Sequence, residues 1–384
     1  VRAKSVIILI FLFIAGTCYG KSLKIKRQIE KPYKSFIVVE EKTGKILMAE
    51  NEEEKRIPAS LTKLMLSLLV LEKIKSKEIS LSDRITVSKR AAKIGGSQLF
   101  LKEGEVFTLE ELMKATLCAS ANDAAYLVAE KIAGSAEDFV KLMNEKAKML
   151  GMRDTTFRSV NGLPRSNPDD TDLTTCKDMA ILARELLKHP KILEWTSIKT
   201  EPIRGGRFIM VNHNKLLTRM EGVVDGLKTG YLRASGYNIV ATAKKENFRV
   251  IVVVLGAPSA KSRDDFTVRL IEKVYSEWKI KEVVKRGEEV SKDIILLDGK
   301  YKRLRGVANE SVICPVRKTR PQVVEKELHM PSVIEGEIKE GQKLGEMVVK
   351  VDGELVGKVD VVSPVYVPKA NLVTRIIRKA GLNI

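Results

Sequence analysis

Histidine is nearly missing from this chain. His189, His213 and His329 are the only three in 384 residues, they are scattered, and no H-E-x-x-H segment is present. The helical zinc-hydrolase pattern is thereby excluded, and a Ser-His-Asp triad has few candidates for its base. Cysteine is as sparse. Cys18, Cys118, Cys176 and Cys314 lack metal-site spacing, so Cys118, Cys176 and Cys314 read as small buried apolar side chains and no metal or cofactor is expected. Acidic residues are in deficit, 49 against 68 Lys and Arg, and the formal net charge is +19. Such a surface attracts anions, whether nucleic acid, acidic lipid or acidic glycan.

Compartment decides among those partners. The apolar run from Val6 to Gly16, behind Arg2 and Lys4, is too short to span a bilayer comfortably but has the length of a signal-peptide core. Residues 1–20 therefore read as a signal peptide cleaved after Gly20, with a retained anchor as the alternative; Thr17 before Cys18 disfavours a lipoprotein. The body of the chain is expected to be exported, in the periplasm or at the outer face of the cytoplasmic membrane. Nucleic acid is then a poor partner.

What is present is ordinary globular material, 44% hydrophobic and 30% charged, and long enough for two domains. After a basic linker, 21–34, the run "SFIVVEEKTGKILMAEN" reads as a hairpin turning at Thr43 and Gly44. A long apolar helix begins near Pro58, helical pattern dominates through "DMAILARELLKHP", and two strands return in "YNIVATAKKENFRVIVVVLGA". Residues 35–277 thus form an α+β unit. From 278 to 368 the texture is short β stretches with Asp-Gly at Asp298-Gly299 and Asp352-Gly353, expected as two-residue hairpin turns of a small all-β domain. Residues 369–384 place Leu372, Val373, Ile376, Ile377 and Ala380 on one helical face and Arg375, Arg378 and Lys379 elsewhere, a cationic amphipathic helix suited to an anionic membrane surface.

Three short motifs carry the chemistry, and each occurs twice. Ser60 and Lys63, or Ser276 and Lys279, match S-x-x-K; a serine three residues before a lysine on a helix puts hydroxyl and amine on one face, where a neutral amine can take the serine proton. Ser120 and Asn122, or Ser159 and Asn161, match S-x-N. Lys42 to Gly44, or Lys228 to Gly230, match K-T-G. Context separates the pairs. Ser276 has neither of the other motifs downstream, "SVNGLP" has the Asn-Gly and Pro of an ordinary loop, and Lys42 lies on the solvated shoulder of a hairpin. Ser60, Ser120 and Lys228 remain, in the order S-x-x-K, S-x-N, K-T-G, and the combination is far more specific than its members.

With "GGSQLFLKEGE", "SANDAAYLVAEKIAG", "NHNKLL" and "DGLKTGYLRASGYN" added, the chain resembles the D-alanyl-D-alanine carboxypeptidases, low-molecular-mass penicillin-binding proteins of the DD-peptidase/β-lactamase fold. The resemblance implies a stalk-like β domain, peptidoglycan stem peptides as substrate and β-lactams as covalent inhibitors. It implies that Ser60 attacks the carbonyl between two D-alanines, Lys63 is its base and Ser120 relays the proton. Asn122 would hold the peptide backbone, Lys228 and Thr229 of the Lys228-Thr229-Gly230 motif the terminal carboxylate, and the amides of Ser60 and Tyr231 the oxyanion. Where some relatives place an assisting arginine this chain has His213, and where alanine is common it has Cys176. A DD-endopeptidase acting on the same substrate is one alternative reading; a class A β-lactamase is another, sharing the motifs but using a glutamate after S-x-N, and none occurs from Gly151 to Arg184. A non-catalytic sensor and a membrane-surface scaffold are the readings from other classes.

Overall fold

The computed structural model describes residues 31–164 and 170–379. The signal segment and residues 21–30 of the expected linker lie outside them. The frame is a five-stranded antiparallel sheet in the order Ile46–Glu50, Ser35–Glu40, Phe248–Ala257, Gly236–Lys245, Val224–Leu232. Its central strands are apolar on both sides because both sides are covered. Val38, Val252 and Val254 pack with Val268, Ile271 and Val274 of helix Ala260–Glu277, while Ile37, Ile251 and Val253 face the helical region.

Helix Lys63–Lys75 is the pillar of that helical region. Leu64, Met65, Leu66, Leu68, Val70 and Leu71 are all buried, and a helix apolar all round belongs inside a core. Its first residue is carried in with it. Around it lie Leu109–Leu117, Asn122–Ala133, Ala136–Leu150 and Cys176–Leu187. Helix Leu109–Leu117 begins with a reciprocal capping box between Thr108 and Glu111. The second helical pair is punctuated by left-handed glycines at Gly134 and Gly151, which end the preceding helices. Cys118, Cys176 and Cys314 are free and buried, as apolar packing requires.

Past Glu277 the chain is β-rich. Trp278–Val284 pairs with Val312–Arg317, and Val324–His329, Lys343–Val351, Glu354–Val362 and Val307–Ala308 make a four-stranded sheet. Asp352 and Gly353 both have positive φ and close the expected tight hairpin. Asp298-Gly299 does not. The strands it was expected to join, Ile294–Leu296 and Arg303–Leu304, are separated by a longer loop, and the dipeptide instead receives the end of the chain: the Asp298 carbonyl accepts from Ala370 N at 2.7 Å, and Gly299 bridges Lys369. Helix Leu372–Lys379 follows. Arg375, expected among the solvated cations, turns inward to Asp298 at 3.3 Å, whereas Leu372, Val373 and Ile376 remain exposed.

The first Lys-Thr-Gly is a structural turn. The buried Glu40 carboxylate accepts from Lys42 N at 3.0 Å and from Thr43 N at 2.7 Å, and Arg184 donates to the carbonyls of Glu41 and Lys42 at 2.8 and 2.9 Å. Lys45 beside it pairs with Glu354 of the β region at 2.7 Å. Gly44 has φ +73°, and a Cβ there would collide with the Arg184 guanidinium. Gly44→Ala is therefore expected to lower stability by ~1–2 kcal/mol, read by thermal or urea unfolding, while Lys42→Ala stays near wild type. A Gly44→Ala protein as stable as wild type would contradict this account of the turn.

Candidate active site

Ser60 lies in a 3-10 turn, Ala59–Thr62, that runs directly into helix Lys63–Lys75. This differs from the regular helix expected, and the difference helps alignment. With three residues per turn, positions i and i+3 eclipse, and Lys63 Nζ stands 3.0 Å from Ser60 Oγ. Ala59 is held at φ +52°, a left-handed conformation that a non-glycine residue keeps only where its surroundings over-determine it. They do so here. Asn238 Nδ2 donates to the Ile57 and Pro58 carbonyls at 2.9 and 3.2 Å, and its Oδ1 accepts from Gly256 N at 2.8 Å. Gly162 packs directly on the Ala59 carbonyl, where a Cβ would collide, and a Cβ on Gly230 would come 2.7 Å from Pro58 O and 3.2 Å from Ser60 N.

Lys63 is fully buried. Its Nζ donates to Asn122 Oδ1 and to the Asn161 carbonyl, both at 2.7 Å. A neutral amine has two N–H groups, and two carbonyl oxygens occupy them; its lone pair is then left for the Ser60 hydroxyl. Burial first, and then the cation of Lys228, holds the Lys63 pKa well below the ordinary lysine value, with Asp172 and Asp123 opposing. The arrangement can therefore supply a base without histidine.

The other expected residues surround this pair. Ser120 is buried at φ +58° in the short link between helices Leu109–Leu117 and Asn122–Ala133. Asn122 opens the second of these, and its Nδ2 donates to the Gly95 carbonyl at 2.8 Å. Lys228, Thr229 and Gly230 lie on Val224–Leu232, the edge strand, whose start is fixed by a bidentate pair between Arg249 and Asp225 at 2.7 Å. Lys228 is buried, its Nζ donates to the Thr229 carbonyl at 3.0 Å, and burial followed by Arg263 lowers its pKa to about 7. Arg263 itself is buried against Asp264. The Tyr231 ring is exposed and stacks on Tyr237 with centroids 4.2 Å apart.

His213 is an exposed residue in a crowded setting. Crowding, then Lys228, Lys63 and Arg263, lower its imidazole to about 4. The three cations also favour a neutral ring near pH 7.

Of the rival motifs, Ser276 is an exposed serine whose hydroxyl donates to Lys273 O at 2.8 Å, and it is no part of the site. The Ser159–Asn161 segment is another matter. Read as an ordinary loop, it supplies the main-chain carbonyl that receives Lys63. A carbonyl is invisible to residue-type reasoning, since every residue has one. Asn238 and Asp172 also lie outside the three motifs. Each is a fully or nearly fully buried polar side chain; Asn238 interrupts an apolar strand, and that interruption was the available signal. No cluster of three or more His, Cys, Asp or Glu side chains that could hold a metal occurs among the described residues.

Residues 24–259 match the D-alanyl-D-alanine carboxypeptidase model of peptidase family S11, and residues 278–369 match the C-terminal domain of penicillin-binding protein 5. The D-alanyl-D-alanine carboxypeptidase DacF of Bacillus subtilis is 37% identical over 352 residues, 91% of this chain and 89% of its own length. Among solved structures, a peptidoglycan synthesis regulatory factor (PBP3) from Streptococcus pneumoniae aligns with a TM-score of 0.77 at 29% identity, covering 88% of this chain and 99% of that one. Penicillin-binding protein 5 from Haemophilus influenzae aligns at 0.74 with 26% identity, covering 88% and 98%. With its fold, its C-terminal domain and its ordered motifs in agreement, the chain belongs to the D-alanyl-D-alanine carboxypeptidase family of serine peptidases.

Proposed function

We propose that this protein removes the terminal D-alanine from peptidoglycan stem peptides through an acyl-enzyme on Ser60, and that β-lactams acylate the same oxygen. The observation that carries the reading is the buried Lys63 amine 3.0 Å from Ser60 Oγ, with its remaining N–H groups held by two carbonyls. Lys63 takes the hydroxyl proton as Ser60 attacks. Ser120 passes a proton to the departing amine, Asn122 holds the substrate backbone, and Lys228 and Thr229 bind the terminal carboxylate. The close approach of Gly230 to Ser60 N suits an oxyanion site made by the Ser60 and Tyr231 amides. Among the relatives, penicillin-binding protein D2 of Listeria monocytogenes is solved in an ampicillin-bound form, at 33% identity over 63% of this chain and 96% of its own, with a TM-score of 0.57.

The β-lactamase reading is weaker on structural grounds as well. Asp172 is a buried carboxylate in the stretch where a deacylating base would be sought, and each of its oxygens already accepts from two donors. It is not arranged to activate a water.

Ser60→Ala is expected to abolish labelling by a fluorescent penicillin and release of D-alanine from a pentapeptide stem, with the fold kept. Lys63→Arg is expected to be nearly as damaging as Lys63→Ala, because a guanidinium stays protonated. Substantial turnover by Lys63→Arg would remove Lys63 from the base role.

The pH dependence carries a sign. Lys63 must be neutral and Lys228 cationic, so kcat/KM, which reports the free enzyme, is limited on the acid side by protonation of Lys63 and on the alkaline side by loss of the Lys228 proton at about 7. A bound carboxylate favours charged Lys228 and raises its pKa. The alkaline limb of kcat is therefore expected above that of kcat/KM for a free-acid substrate. Lys228→Ala is expected to lower efficiency by roughly tenfold or more, the loss of a charge-assisted contact of ~1.5–3 kcal/mol. Amidation of the substrate's C-terminus should have the same effect on wild type. A Lys228→Ala enzyme that still strongly prefers free acid over amide would place the carboxylate elsewhere.

The protein acts outside the cytoplasm, at an anionic membrane surface, through the exposed Leu372, Val373 and Ile376 of its last helix. No helix among the described residues is long and apolar enough to cross a membrane. Co-sedimentation with vesicles containing anionic lipid is expected to fall when these three residues are changed to serine, with peptidase activity in solution unchanged. Equal sedimentation of the triple variant and wild type would contradict the surface role.

A further inference from the structure

We propose that Asp172 is a positioning residue for acyl transfer, fixing the loop whose Asn161 carbonyl aims the Lys63 amine at Ser60. The inference rests on the Ser60 and Lys63 reading above and assigns a task to a side chain outside the three motifs. Asp172 is only 3% exposed. Its Oδ1 accepts from the backbone N–H groups of Arg158 and Ser159 at 2.6 and 2.9 Å; its Oδ2 accepts from Thr62 Oγ1 at 2.8 Å and Ser159 Oγ at 2.9 Å. Ser159 Oγ in turn accepts from Gly162 N at 2.8 Å, and Asn161 Oδ1 accepts from Leu163 N at 3.1 Å.

These bonds close a ring. From Thr62 they pass through Asp172 and Ser159 to Gly162, along one peptide to the Asn161 carbonyl, and back to Lys63, the residue after Thr62. One carboxylate thus joins the nucleophile turn to the loop that constrains its base. Without the Asn161 acceptor a neutral Lys63 amine has one N–H unassigned and can rotate its lone pair away from Ser60. Gly162 adds a steric tie, because it lies against the Ala59 carbonyl where no Cβ fits.

Asp172 also acts by charge. The charged groups that Lys63 feels are Lys228, which favours the neutral amine, and Asp172 and Asp123, which favour the ammonium. Two substitutions separate position from charge. Asp172→Asn keeps an oxygen for the two backbone N–H groups and an amide that can donate to reoriented hydroxyls, but removes the anion. Asp172→Ala removes both.

The test uses the full chain, a free-acid pentapeptide stem and a fluorescent penicillin, with kcat, KM and the acylation rate measured across pH. Asp172→Ala is expected to lose on the order of tenfold to hundredfold in kcat and acylation rate, the scale of an ångström-level misplacement, with KM little changed. Asp172→Asn is expected to keep most of kcat while its acid limb moves to lower pH, since removing an anion eases deprotonation of Lys63. Should Asp172→Ala fail to fold, Thr62→Val cuts the same ring at one bond and is expected to lower kcat more than KM. Wild-type kcat in folded Asp172→Ala, or in Thr62→Val in its place, overturns the inference, as does an acid limb in Asp172→Asn that stays fixed or moves upward. Failure of the wild-type protein to label at Ser60 would instead overturn the acyl-enzyme reading itself.

Discussion

Everything at this site depends on the burial of one lysine amine. A charged ammonium taken out of water is costly, and the side chain answers by releasing its proton more readily. Lys63 reaches its position because it is the first residue of a helix whose next several residues are all core, so the apolar packing of Leu64 to Leu71 fixes the amine where solvent cannot reach it. The second cation, Lys228, pushes in the same direction. Hydrophobic packing and electrostatics thus both favour the neutral form of this amine in a chain nearly devoid of histidine.

The rest of the architecture holds that amine to the Ser60 hydroxyl. The strained turn at Ala59 is gripped from the sheet by Asn238 and packed on two sides by Gly162 and Gly230. Strain at a single residue is sustainable when several independent contacts enforce it. Three separate segments meet at Lys63: the 59–62 turn through Ser60, the link between two helices through Asn122, and the 158–162 loop through Asn161. The edge strand closes the group from the other side, with Lys228 interior and Gly230 against the Ser60 amide.

Much of this was legible in the sequence, and what was not has physical reasons. The ordered motifs, the central apolar helix, the paired strands and the Thr43-Gly44 hairpin are local patterns, so periodicity and turn chemistry reveal them. The Asn161 carbonyl left no trace because main-chain acceptors carry no residue code. Asp172 is likewise opaque, since its four donors come from positions 13 to 110 residues away in mixed local and remote segments. Asp298-Gly299 misled for the opposite reason. Its local signal is a tight turn, but tertiary pairing with 369–370 overrides it, and the same carboxylate draws Arg375 off the solvated face.

The central claim, that Lys63 is held neutral to serve Ser60, is most directly tested by carbon or nitrogen NMR titration of the Lys63 side chain in the free protein, assigned by the signal lost in Lys63→Arg. The midpoint is expected well below the ordinary lysine value and should rise when the opposing charge of Lys228 is removed by Lys228→Ala. A Lys63 signal that titrates like a solvated lysine, indifferent to Lys228, would contradict the account.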